Sequence, residues 1–148
     1  MIESEMIAEI RSWEGTKWVH GQAIKGRGTD CVQFLTKLGK TFGWVPEDYE
    51  MPVYNKDWAL HNSQSVLKAE LAKFCDPTSY PWKIGDILVF VFGLTASHAA
   101  IYIGDRLVVH AHIKKGVMCC KVEDLKDEKG RYQFDSVWRP RWQMLDKQ

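Results

Sequence analysis

Three side chains stand out as able to do covalent chemistry: the thiol of Cys31 and the imidazoles of His98 and His110. Cys31 follows Gly28-Thr29-Asp30 and begins an apolar stripe in which Cys31, Phe34, Leu35 and Leu38 recur at helical spacing. This places the thiol in the first turn of a helix capped by Asp30 or Thr29, with Gly39 as its stop. The positive end of the helix dipole favours the thiolate, which is the nucleophilic form. The same stripe also fits a cysteine that is simply a small core residue.

The two histidines lie on successive apolar runs separated by Gly104-Asp105-Arg106. A two-residue turn pairing 103 with 106 would send them to opposite faces. A three-residue turn with Gly104 or Asp105 left-handed pairs 103 with 107 and puts both on one face. They are then diagonal neighbours, about 7–8 Å apart at the backbone. A lone histidine on an apolar strand is as readily structural, but two on one face beside a helix-capped thiol give nucleophile, base and orienting group.

The elements that must hold these residues divide the chain. Residues 4–13 read as a helix capped by Ser4, with Met6, Ile7, Ile10 and Trp13 on its apolar face. A glycine-punctuated loop leads to a helix over residues 30–38. Residues 44–62 are aromatic, acidic and broken by Pro46 and Pro52, so they read as irregular and are expected to line a groove or form a lid. A third helix at about 63–74, capped by Asn62 or Ser63, is closed by Asp76-Pro77. Short β-branched and aromatic runs follow at 84–92, 99–103, 107–113, 117–122 and 134–138. Helices first and an antiparallel meander second make an α+β fold in a single domain spanning residues 1–148.

Bulk properties exclude several classes. With 45% hydrophobic and 26% charged residues the chain is globular, and a formal net charge of +1 argues against a nucleic-acid partner. No apolar run reaches the 18 or so residues of a membrane helix. The acidic start, Met1-Ile2-Glu3-Ser4-Glu5, lacks signal-peptide character, so synthesis in the cytoplasm is expected, with export by another vehicle if the protein acts outside. Cys31, Cys75, Cys119 and Cys120 show no CxxC spacing and read as reduced thiols. No cofactor is implied, and oligomeric state is not legible.

Four blocks resemble, in order, the NlpC-type papain-like cysteine peptidases. Gly15-Thr16-Lys17-Trp18 and Gly28-Thr29-Asp30-Cys31 look like that family's entry motifs, and Pro81 to Phe90 resembles its strand-opening signature. Ser97-His98-Ala99-Ala100-Ile101-Tyr102-Ile103-Gly104 resembles the general-base strand, and Val108-Val109-His110-Ala111 the strand with the third polar residue. The twelve-residue spacing from His98 to His110 also looks like the family's. The resemblance implies a papain-like fold, with N-terminal helices on a five- to six-stranded antiparallel sheet or half-barrel. It implies Cys31 as nucleophile, His98 as general acid/base and His110 as the residue orienting it. Trp18, Asp30, Ser97 and Trp58 are the candidate substrate-binding residues. The implied substrate is a peptidoglycan stem peptide, cut at a γ-D-glutamyl–diamino acid bond, and the acidic peptide would suit Lys17, Lys25 or Arg27.

The gap before Asp30-Cys31 and the segment Asp57-Trp58-Ala59-Leu60-His61 look more like the phage-tail and gene-transfer-agent branch, which implies tail proteins as partners and a virion-tail location. Two departures bear on substrate choice: Trp18 stands where the family usually has Tyr, and Val32-Gln33 where it often has Ser-Gly. They motivate an alternative, a catalytically degenerate structural or wall-binding tail component. A second alternative is a zinc hydrolase using His98, His110 and His112, with one of Cys119 and Cys120 nearby.

Overall fold

The computed structural model describes residues 1–56 and 65–141. Trp58, the 57–61 segment, and the proposed caps Asn62 and Ser63 lie outside them. The first helix, α1, spans Glu3–Arg11 and buries Met6 and Ile10. Its N-cap is Ile2, with no side-chain bond, in place of the expected Ser4. The loop that follows contains a small hairpin of β1 (Ala23–Ile24) and β2 (Gly28–Thr29).

The second helix, α2, runs Cys31–Phe42, four residues beyond the expected end. Gly39 is an interior residue and not the stop. A Cβ there would lie 2.5 Å from Val45 Cγ2 and 3.0 Å from Trp44 Cε2, so glycine serves the close approach of the returning chain. Gly43, left-handed at φ 89°, ends the helix and donates to the Gly39 carbonyl. The third helix, α3 (Val66–Phe74), is capped by Ser65, whose Oγ accepts from Lys68 N–H.

Six strands form one antiparallel sheet: β3 (Cys75–Thr78), β4 (Ile87–Phe92), β5 (Thr95–Gly104), β6 (Leu107–His112), β7 (Gly116–Lys121) and β8 (Phe134–Pro140). Their order is β3-β8-β4-β5-β6-β7. The expected meander is therefore real from β4 to β7, but β8 returns to insert between β4 and β3. Asp76-Pro77, expected only to close a helix, pairs as a strand with Arg139 and Trp138. A proline is tolerated because β3 is an edge.

Alternation along the strands separates two apolar faces. Ile87, Val89, Ala99, Ile101, Val109 and Ala111 pack in the main core with the helices. Leu88, Phe90, Ala100 and Val108 face a smaller cluster closed by Val122 and Leu125. Among the described residues no helix is long and apolar enough to cross a membrane.

Candidate active site

Asp30 organises the start of α2. Its Oδ1 accepts from Gln33 N–H at 2.8 Å, the side-chain cap expected from sequence. Its Oδ2 accepts from Gly21 N–H at 2.8 Å and from the Tyr54 hydroxyl, with His20 Nδ1 3.8 Å away. Asp30 is 4% exposed, so this carboxylate is a structural hub tying the incoming loop and residue 54 to the helix. Burial and the Asp30 carboxylate push the Tyr54 phenol far up, keeping it a protonated donor.

Cys31 is half-buried, and its Sγ donates to the Ser97 carbonyl at 3.6 Å. The sulfur thus meets the β5 backbone immediately before His98. Packing around it and the neighbouring Asp30 charge push the thiol up to about 12, against the pull of the Ala99, Cys31 and Val32 amides. The helix dipole alone led to the opposite expectation. Loss of hydration around a thiolate works against the dipole here.

The expected histidine register is present, reached by a different turn. Ile101 pairs with Val109 and Tyr102 with Val108, which is the register of 103 opposite 107. The turn itself is two residues, Asp105 and Arg106, both left-handed at φ 52° and 61°, joining Gly104 to Leu107. The register shift at Ile103 absorbs one residue and restores the common face. His98 Nε2 and His110 Nδ1 are consequently 2.9 Å apart, with the rings edge to face. Among the described residues no hydrogen bond links the Cys31 thiol to either imidazole.

His98 also stacks flat on Phe92, ring centroids 4.3 Å apart at 5°. Sequence reasoning missed Phe92. Its signal was its place on β4, two residues past Phe90, the cross-strand partner of His98. Burial holds His98 well below its ordinary value, aided by His110 and His112, and lowers His110 to about 4. Both rings are therefore neutral in the folded protein near neutral pH.

That neutrality has a stability consequence. Between pH 6.5 and 4 the unfolded chain takes up protons that the folded chain refuses, so stability falls as pH falls through this window and is complete above it. The His110 contribution is roughly 3 kcal/mol at the acid end. His110→Asn should lose less stability than wild type between pH 7 and pH 4, measured by urea midpoints; parallel losses in both would refute the assignment.

The remaining candidates are placed as follows. Ser97 donates its hydroxyl to the Phe92 carbonyl at 2.6 Å and supplies the carbonyl contacted by Cys31. Trp18 is half-buried, bridges to Thr29, and has Lys56 Nζ 5.9 Å from its ring centroid. From the expected 44–62 groove segment, Trp44 and Val45 are buried in the main core, and Tyr49 and Tyr54 pack at its fringe. The zinc alternative meets a donor problem. The inner histidines face each other, and His112 Nδ1 accepts from two amides. Among the described residues no three His, Cys, Asp or Glu side chains are placed to hold a metal.

Comparison with known proteins gives a consistent picture. The chain is 23% identical over 124 residues to the Escherichia coli K12 protein named murein DD-endopeptidase MepS/murein LD-carboxypeptidase, covering 83% of this chain. It spans 56% of the length of that relative. Among solved structures, the NlpC/p60 domain of the peptidoglycan hydrolase SagA superposes with TM-score 0.59 at 17% identity, covering 93% of this chain and 97% of that one. A Bacillus cereus ATCC 10987 NlpC/P60 family protein gives TM-score 0.59 at 17% identity, covering 93% of this chain and 39% of its own. These structural likenesses establish the shared papain-like fold. The profile of the NlpC/P60 family matches residues 15–139, a stretch running from the loop before Cys31 through both histidine strands to β8, and the chain therefore belongs to the NlpC/P60 family.

Proposed function

We propose that the chain is a cysteine peptidase that hydrolyses amide bonds in peptidoglycan stem peptides, with Cys31, His98 and His110 as its working group. The observation that carries this reading is the 2.9 Å contact between two buried, neutral imidazoles beside the strand backbone that receives the thiol. With His98 Nε2–H assigned as donor to His110 Nδ1, the His98 Nδ1 lone pair is left to act as base. Among the described residues that nitrogen has no hydrogen-bond partner.

The Cys31 proton passes to His98 Nδ1 as sulfur attacks the carbonyl carbon. The resulting oxyanion is stabilised by first-turn amides of α2, including that of Cys31. The C–N bond then breaks, His98 returns the proton to the leaving amine, and an acyl-thioester remains. Water attacks it while His98 takes a proton from the water, which releases the acid and restores the thiol. His110, an imidazole in place of a carboxylate, orients His98 without adding a charge.

The bond is proposed to be γ-D-glutamyl–diamino acid, and Trp18, Ser97 and Trp58 are proposed to contact the peptide, with Asp30 holding the floor of that site. Delivery in a phage tail, with tail proteins as partners, is proposed from the resemblance of the 57–61 segment. Mass spectrometry of a synthetic L-Ala-γ-D-Glu-diamino acid-D-Ala peptide and of cross-linked stem-peptide dimers tests the specificity. Cleavage after D-Glu supports the proposed bond. Cleavage of the dimer at the D-Ala cross-link would replace it with the DD-endopeptidase specificity named for the E. coli relative, and intact peptides with both substrates would refute the peptidase reading.

A further inference from the structure

A third imidazole adjoins the proposed pair. His112 lies two residues beyond His110 on β6, so it shares that face, and its ring centroid is 6.1 Å from that of His110. Its Nδ1 accepts two backbone N–H groups, those of Lys114 and Lys115, each at 3.0 Å. A protonated Nδ1 cannot accept either bond, so this geometry exists only with His112 neutral and its proton on Nε2. The turn that supplies the amides is itself fixed. His112 pairs with Gly116, left-handed at φ 77°, where an added Cβ would meet the Thr16 carbonyl oxygen at 2.3 Å. Val117 N–H donates to that same carbonyl at 2.8 Å, and Gly15 N–H donates to the Val117 carbonyl at 2.9 Å.

We propose that His112 is a positioning residue that acts through His110: in its neutral, amide-locked form it holds the ring next to the catalytic pair, and its protonation switches that support off. This rests on the peptidase reading for its link to turnover. The surrounding charges are Lys114 and Lys115 on its own turn, which oppose a cation, Glu128 from the segment before β8, which favours one, and His110 and His98 on the sheet. His112 is half-exposed while His98 and His110 are buried, so the first proton entering the trio on acidification goes to His112. It then loses both turn amides and places a cation about 6 Å from His110. That cation opposes the imidazolium His98 must form during attack, by roughly tenfold or more in rate.

Two variants separate the roles. His112→Asn keeps an oxygen near the Nδ1 position for the two amides but cannot titrate, whereas His112→Ala removes both. The rate of Cys31 alkylation by iodoacetamide and the kcat/KM for stem-peptide cleavage are followed from pH 4 to 8, alongside nitrogen-15 NMR of the imidazoles. In wild type the acid limb should reflect more than one proton, with the Lys114 and Lys115 amide signals shifting at the midpoint of His112. His112→Asn should keep wild-type rates at pH 7.5 within about twofold and show a shallower limb displaced to lower pH, whereas His112→Ala should be slower already at pH 7.5. An unchanged acid limb in His112→Asn, or a His112 Nδ1 found protonated at pH 7.5, would overturn the proposal. Should His112→Ala fail to fold, the Asn variant and the wild-type NMR still decide. If no peptide is cleaved at all, the peptidase reading fails, while alkylation and NMR still report on His112.

Discussion

Cys31→Ala is expected to lower stem-peptide cleavage by about 10⁴-fold or more while leaving the thermal midpoint within a few degrees of wild type. The acyl-thioester needs the sulfur, and the water and oxyanion site that remain give only the residual catalysis of an emptied centre. The structural cost is small because Cys31 sits at the fringe of the core, where its thiol donates only the weak bond to the Ser97 carbonyl. His98→Ala should reduce the rate to a similar degree, and the double variant should be no worse than either single one, since the two groups act as a unit. His98→Ala also uncovers Phe92 and leaves His110 Nδ1 without its partner, so it should cost about 2 kcal/mol of stability. Rates compared at matched folded fraction check this. Retention of more than about 1% of wild-type cleavage by folded Cys31→Ala would remove Cys31 from the mechanism.

Arg139→Met is expected to destabilise the fold by about 3–5 kcal/mol. Asp86 is fully buried, and Arg139 grips it with two bonds of 2.8 Å, Nε to Oδ1 and Nη2 to Oδ2. Lys83 N–H adds a third at 2.8 Å. The pair joins the entrance of β4 to β8, the strand that returns from the end of the described chain, so it holds the sheet order across a gap of 53 residues. Removing the guanidinium strands a buried carboxylate with a single amide donor. For a chain of this size the thermal midpoint should fall by roughly 10 °C. Asp86→Leu combined with Arg139→Met should recover part of the loss, because no charge is then left buried. A double variant as unstable as Arg139→Met would show that the carboxylate desolvation is not the dominant cost.

Much of the site could be read from the chain. The Asp30 cap and the helix beginning at Cys31 follow from local rules, capping chemistry and a 3.6-residue stripe, whereas the shared face of His98 and His110 rests on the register shift at Ile103 that offsets their two-residue turn. The helix stop was misplaced because Gly39 carries two meanings. In isolation glycine ends a helix, but here it lets Val45 and Trp44 pack against α2, and only the returning chain reveals that. Similarly, Asp76-Pro77 reads as a helix terminator until β8 arrives to pair with it.

The identities and order of the reactive groups, and the local elements that carry them, are legible in the chain because caps and stripes depend on neighbours a few residues apart. Folding across the sheet settled the packing around the Cys31 thiol, the flat stacking of His98 on Phe92 and the insertion of β8 between β3 and β4. Each of these depends on desolvation or on contacts across distant or returning segments, and neither the burial of an atom nor the partner delivered by another strand is encoded in local spacing.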